Sequence, residues 1–450
     1  MNSDPQNHFD KAFEIVLYRK VTMRILPFLF LCYILAYIDR VNVGFAKLQM
    51  QRDLGMSEAV YGLGAGIFFI GYFLFEIPAN MIMQRVGARR WLGPIMIVWG
   101  LLSAATLWVE SSRSFYLLRF LLGIVESGFF PGVILYLTFW YTEKNRARMV
   151  ALFMSAIPLS GVIAGPISGS IMSRMTNVGN LRAWQWLFLL EGLPACLAGV
   201  GALFFLTDHP ACASWLKPTE RDLLVHLLKE EDTAKALSSD TRHSLLQALR
   251  SARVWLYGLI YFGFVMGNYA LQFWLPQLIG DTLTNNVLAI GWLSVIPWGM
   301  GAISMIGVGR HSDATGERRM HIAIPGVIGA AAFAASALPS ISGVTGLAAL
   351  TLATMGIMCA FSTFWALPIS MLSGTAKSAG IAWVNSIGNL AGYVGPYVIG
   401  LIRDSTHSMI PALMLISVSA LFSSVASFCS VSPSAAKPHA ESGRFFRTAS

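Results

Sequence analysis

Residues 119–140 read RFLLGIVESGFFPGVILYLTFW, and this stretch decides how the chain is read. It is apolar almost throughout, yet it holds Arg119 and Glu126, with Glu110 and Arg113 just ahead of it. A separation of seven residues is close to two helical turns, so both charges point to roughly one face. Charges in so apolar a helix are costly against lipid and settle toward a protein interior or a water-filled cavity. The reading is a membrane helix with one face on an aqueous path.

The rest of the chain fits that setting. Of 450 residues, 55% are hydrophobic and 12% charged, with a mean hydropathy of +0.60, where a soluble protein carries about 25% charged residues. Apolar runs of about 20 residues recur along the chain, as in a polytopic membrane protein. The net charge of +9 is explained by where the basic residues lie, with no need for a nucleic-acid partner. Five cysteines, Cys32, Cys196, Cys212, Cys359 and Cys429, have no CxxC spacing and read as small hydrophobes, neither a disulfide set nor a metal site. No phosphate-binding loop points to ATP, and no constellation points to an enzyme, a cofactor or a metal.

Twelve spans are expected, at about 22–42, 59–79, 91–109, 115–139, 147–172, 184–206, 253–278, 287–308, 321–338, 343–368, 376–401 and 409–429. Residues 1–20 form a polar tail without an apolar signal segment. With that tail inside, most Lys and Arg fall in cytoplasmic segments. The outer side holds Arg40, Lys47, Arg52, Arg113, Arg174, Arg182 and Arg403. An even number of spans returns the C-terminus to the cytoplasm, beside Lys437, Arg444 and Arg447.

The organisation is thus a tail (1–20), a six-helix half (21–206), a cytoplasmic linker (207–252), a second six-helix half (253–430) and a polar tail (431–450). The linker is charged and carries Pro210 and Pro218, with helical spacing over 219–235 and a cap expected at Thr219 through Asp222. The halves echo each other. GVIAGPISG at 161–169 recurs as GYVGPYVIG at 392–400, and GARR at 87–90 as GERR at 316–319, both shifted by about 230 residues, as parallel repeats require.

Gly161, Gly165 and Gly169 form a smooth helical face, and Pro166 favours a bend; Gly392, Gly395, Gly400 and Pro396 repeat the arrangement. Close static packing and a contact that separates during a cycle both fit. Arg89 in the first basic turn and Asp313 in the second are candidates for charge pairs that hold one state of the cytoplasmic face; enforcement of orientation is the alternative. Gln84 stands where the repeat places Asp313, so the first turn needs a partner from elsewhere.

The candidate chemistry lies in AYIDRVNVGFA at 36–46 and in the opening stretch. Asp39, Arg40 and Asn42 sit at the outer part of span 1 or just past it. Arg119, always charged, suits a fixed attractor for a carboxylate; Asp39 and Glu126 can change charge and suit proton coupling. A purely structural ion pair of Arg119 with Glu126 or Asp39 is the alternative. Glu76 and Glu191 each precede a proline and suit hydrogen bonds to backbone freed by the kink. Tyr72, Trp365, Asn385 and Asn389 are neutral groups that could line a cavity or pack between helices. His311, His321 and His407 lie near span ends and carry little signal.

At these residues the chain resembles the anion:cation symporter family of the major facilitator superfamily, over about residues 20–430. The closest pieces are YIDRVNVGFAK (37–47), RFLLGIVESGFFPG (119–132), WLFLLEGLPA (186–195) and NSIGNLAGYVGP (385–396). The resemblance implies an all-α polytopic membrane protein with the major facilitator fold, twelve transmembrane helices in two six-helix halves around one central site, and alternating access. It implies secondary active import of a small organic (di)carboxylate by proton symport into a bacterial cell across the inner membrane, by a monomer. Tartrate leads; phthalate, hydroxyphenylacetate and sugar acids are alternatives, as is sodium for the cation. A non-transporting anion sensor or scaffold is the reading of a different class. Asp39 and Glu126 would match proton-coupling positions, Arg40, Arg119, Tyr72, Trp365 and Asn385 substrate positions. Asn80 and Gln84 depart from the superfamily's first basic motif, which puts that motif's gating contact in question, not the fold.

Overall fold

The structure is a computed structural model that describes residues 5–176, 178–236, 250–371 and 376–430. It is helical, with no strand among the described residues. The helices are α1 (Pro5–Asp53), α2 (Glu58–Val86), α3 (Ala88–Ala105), α4 (Ser112–Glu126), α5 (Phe129–Thr138), α6 (Glu143–Met154), α7 (Ala156–Arg174), α8 (Ala183–Phe205) and α9 (Pro218–Ala236). They continue as α10 (Ala252–Thr282), α11 (Val287–Leu293), α12 (Val295–Thr315), α13 (Arg319–Ser336), α14 (Gly343–Phe364), α15 (Ala366–Met371), α16 (Ala376–Thr406) and α17 (Ile410–Cys429).

Helix pairs α4–α5, α6–α7, α11–α12 and α14–α15 are each one span, broken once. At three breaks a serine bonds backward: Ser127 Oγ donates to Ile124 O at 2.7 Å, Ser155 Oγ to Leu152 O at 2.6 Å and Ser294 Oγ to Gly291 O at 2.7 Å, a bond that bends helices. Eleven spans among the described residues are long and apolar enough to cross a bilayer, and α16, 31 residues long, is the twelfth. An even count brings both ends of the chain to one face of the bundle, the terminal face; the opposite one is the far face.

Span 1 is longer than expected. Instead of ending near residue 42, α1 runs to Asp53, and Leu54 and Gly55 (φ +59°) turn the chain. Asp39, Arg40 and Lys47 do not end the helix because other helices supply their partners.

Each half packs around its own contacts. In the first, α3 lies on α8, α2 on α4, and α1 on α7 and α8; in the second, α10 lies on α16, α13 on α14 and α17, and α12 on α14. Gly93 and Gly100 of α3 face Gly199 and Gly192 of α8; a Cβ on Gly199 would stand 2.7 Å from Gly93 O. Such seams drive association where lipid is as apolar as the side chains. The halves meet through α2–α16, α7–α11, α7–α12 and α1–α10. Contacts of span 5 with span 8 and of span 11 with span 2 exchange under a shift of six spans, which is the parallel repeat seen in three dimensions.

In the linker, α9 starts one residue earlier than expected, with Pro218 in the first helical position. The cap is not Thr219: Glu220 accepts from Lys217 N at 2.8 Å and from Lys20 Nζ at 2.6 Å. Trp215 stacks on Trp140 at 5.5 Å, and Glu143 N donates to Glu231 at 2.9 Å. The linker helix therefore lies against the first half.

Candidate functional site

The charges of α1 and α4 meet inside the first half. Arg40 Nε donates to Glu126 Oε2 at 2.9 Å, both side chains being buried. The guanidinium of Arg40 also stands over the rings of Tyr37, Phe68 and Tyr72, at 5.1, 5.2 and 5.5 Å. Glu126 is 1% exposed and ends α4, where Ser127 and Gly128 interrupt the span; its Oε1 has no hydrogen-bond partner. A side chain on Gly128 would strike the indole of Trp91, so the break that fixes Glu126 is sterically set.

Arg119 is 2% exposed and sits over the Phe68 ring at 4.9 Å. Among the described residues its one hydrogen bond is long, Nη2 to Ala65 O at 3.5 Å, and its Nε is unpartnered. Among the described residues no carboxylate lies within ion-pairing distance, although Asp39 and Glu126 are near enough to act on its charge. The pairing of Arg119 with Glu126 left open by the sequence is not formed. Two turns along a helix rise about 10 Å, too far for a direct bond, and Arg40 arrives from α1 instead.

Asp39 turns away from Arg40 toward α3. Trp99 Nε1 donates to it at 3.2 Å, Asn42 Nδ2 at 3.2 Å, and Ser103 Oγ also donates. Adjacent residues on a helix cannot share a face, so α1 presents Arg40 to α4 and Asp39 to α3. Tyr72 is buried on α2 beside Arg40. Trp365 stands at the α14–α15 break, edge-on to Tyr261 at 4.8 Å, and Asn385 is half-buried on α16. Among the described residues neither is hydrogen-bonded to the charges of the first half. Sequence reading missed Asn268 and Gln272 of α10, both buried with unpartnered amide atoms, and Tyr269 between them, which faces Arg40. Their signal was there: two amides four residues apart in an apolar span, the spacing of Asn385 and Asn389.

The halves are joined on the far side. Lys47, buried in α1, pairs with Glu58 Oε2 at 2.6 Å, lies 3.3 Å from the centre of the Trp274 ring and donates to Gln277. Arg403 of α16 pairs with Glu58 Oε1 at 3.1 Å and with Asp281 of α10 at 2.9 Å. Asp404 accepts from Glu58 N and Ala59 N, each at 2.9 Å. Lys47 and Arg403, expected as outer-face charges, thus belong to one network between halves.

The glycine-proline sequences lie in the same seam. A side chain on Gly165 would meet Ser294 Oγ and, at 2.6 Å, Gly291 O; Gly62 of α2 touches Pro396 O. Pro166 lies inside α7, and Gly395 faces Met266 within its own half. Arg89 and Asp313 do not meet. Asp313 pairs with Arg318 at 2.6 Å within the second basic turn. In the first, the partner that Gln84 could not provide is Asp208, which accepts from Arg89 N at 2.8 Å beside Gly87 (φ +86°). Among the described residues, the hydrogen bonds, ion pairs and ring contacts between the halves lie from mid-membrane to the far face.

A helical bundle of two repeated halves, with buried, unequally paired charges inside the first and an ion-pair network joining the two, is the architecture of a membrane transporter. The chain belongs to the Major Facilitator Superfamily, whose family description matches residues 29–396. A "Putative tartrate transporter" of Agrobacterium vitis is 46% identical, over 92% of this chain and 93% of its own length. A "Quinolone resistance transporter" of Acinetobacter baumannii is 39% identical, over 91% and 94%. The inward-open structure of the xylose transporter XylE from E. coli shares the fold at a TM-score of 0.72 and 13% identity, covering 91% of this chain and 96% of that one. The chain is a transporter, not an enzyme.

Proposed function

We propose that the protein is a secondary active transporter that imports a small organic carboxylate, tartrate first among them, together with protons by alternating access. One observation carries this reading: Arg119 is a buried guanidinium that no carboxylate of the described chain pairs. A buried, unpaired cation costs several kcal/mol, and an organic anion would remove that cost. Arg119 binds the substrate carboxylate, and Arg40, released from Glu126 when that residue takes a proton, binds a second. Tyr72, Trp365 and Asn385 complete the cavity with neutral contacts. Glu126 and Asp39 carry the coupling protons. The similarity to a relative named for tartrate supports the cargo class.

The protein acts as a monomer in a bacterial inner membrane, with both termini and the linker in the cytoplasm. The far face is then the outer one. The Lys47–Glu58–Arg403–Asp281 network is its gate, here closed, and the α7–α11/α12 and α2–α16 seams are the rocking contacts. Arg89 and Asp313 act on the cytoplasmic side, each within its own half. Uptake into proteoliposomes under separately imposed proton and sodium gradients tests the reading, with tartrate, phthalate and an aromatic acid as cargo. Accumulation of a carboxylate driven by the proton gradient alone is expected; none for any acid would end it.

A further inference from the structure

A second carboxylate sits in the first half, outside the arginine cluster. Glu191 of α8 is 4% exposed and is enclosed by α1, α3 and α7. Its Oε1 accepts from Ser168 Oγ of α7 at 2.8 Å; its Oε2 has no partner. Asn42 of α1 is fully buried and stands between Glu191 and Asp39, with its amide donating to Asp39 and its own Oδ1 unpartnered. Two acceptor oxygens are therefore left empty in one buried cluster.

We propose that Glu191 holds a proton when the far side is closed and donates it from Oε2 to Asn42 Oδ1. It is thus a proton-carrying partner of Asp39, an inference that rests on the proton-symport reading. The surroundings of the two carboxylates differ in the required sense. Asp39 receives donors from Trp99, Ser103 and Asn42 and lies near enough to Arg119 to feel its charge. Glu191 faces Asn42 and Asp39 from α1 and Ser168 from α7, while Trp99 and Ser103 of α3 turn to Asp39; among the described residues none of its neighbours is a cation. A second negative charge there would be buried beside the first with only the Ser168 hydroxyl and the Asn42 amide near it, which is costly. In the cycle, the O–H bond at Oε2 forms with a proton from outer water when the far side opens. It breaks when the terminal side is open, and the proton leaves to cytoplasmic water by way of the Asp39 cluster as substrate is released.

Infrared spectroscopy of the full-length protein in detergent tests the protonation, and the reversal potential in proteoliposomes tests the carriage. A deuterium-sensitive carboxylic-acid C=O band is expected in the wild type, retained in Asp39→Asn and lost in Glu191→Gln. The glutamine variant keeps the hydrogen bonds, so it should exchange substrate while its proton-to-substrate ratio falls by one. A band that survives Glu191→Gln, or a ratio that does not change, overturns the proposal. Should the glutamine variant fail to fold, Asn42→Ala must shift the same band, and an unshifted band overturns the proposal equally. A wild type that moves no protons would instead sink symport itself, and the band would still decide whether Glu191 is protonated.

Discussion

Arg403 Nε lies 3.1 Å from Glu58 Oε1, and this contact crosses from one half of the molecule to the other. Glu58 offers its second oxygen to buried Lys47 at 2.6 Å, so one carboxylate ties α1 and α2 to α16. Replacing Glu58 by Ala leaves Lys47 and Arg403 without it, a loss of about 3–5 kcal/mol for a buried pair. Spin labels on the far ends of α2 and α16 should report longer distances in Glu58→Ala than in the wild type. Unchanged distances would remove the network from the gate.

Arg119→Ala should weaken carboxylate binding by about 100-fold, the loss of roughly 3 kcal/mol typical of a desolvated charge pair. Equilibrium binding of radiolabelled substrate measures it. Arg119→Lys should recover only part, because a point charge does not reproduce the forked geometry.

Glu126→Gln keeps a hydrogen-bond acceptor for Arg40 but removes the charge that is gained and lost. Exchange of labelled for unlabelled substrate should persist while gradient-driven accumulation disappears. Normal accumulation by this variant would end the coupling role of Glu126.

Gly165→Val places a branched side chain against Ser294 Oγ and Gly291 O. The α7–α11 seam can then no longer close, and transport should fall to background. Cysteines introduced at the far face should become more accessible to a water-soluble thiol reagent.

Acid should loosen the linker. The Lys20 ammonium, joined by the Lys217 N–H, holds Glu220 below the ordinary carboxylate range. The stabilisation is therefore present above the unfolded-state value and lost as pH falls through the lowered one. Hydrogen exchange in α9 should rise over that acidic interval, and Glu220→Gln should abolish the pH dependence.

The spans were legible because lipid demands long apolar helices, and the repeat because glycine-proline and basic turns recur at one offset. The length of α1 was not, since Asp39, Arg40 and Lys47 look like a polar end until Ser103, Glu126 and Glu58 arrive from other helices. Arg119 and Glu126 were rightly placed on one buried face, but the partner of Glu126 came from α1, which no spacing within α4 could show. The far-side network was invisible for a similar reason. Glu58, Asp281 and the pair Arg403 and Asp404 stand at the ends of three different helices and read singly as loop charges. Asp208, which caps α3, is likewise distant in sequence from the turn it completes.

Asp404 has a consequence for solvent. Its carboxylate covers the first amides of α2, Glu58 N and Ala59 N, so the start of a helix in one half is finished by a residue of the other. Parting the halves strips those amides and the positive end of the helix dipole of their anion. Incoming water must take its place. Opening of this side is thereby coupled to hydration, and solutes too large to enter the widening cleft will favour the shut form through osmotic stress.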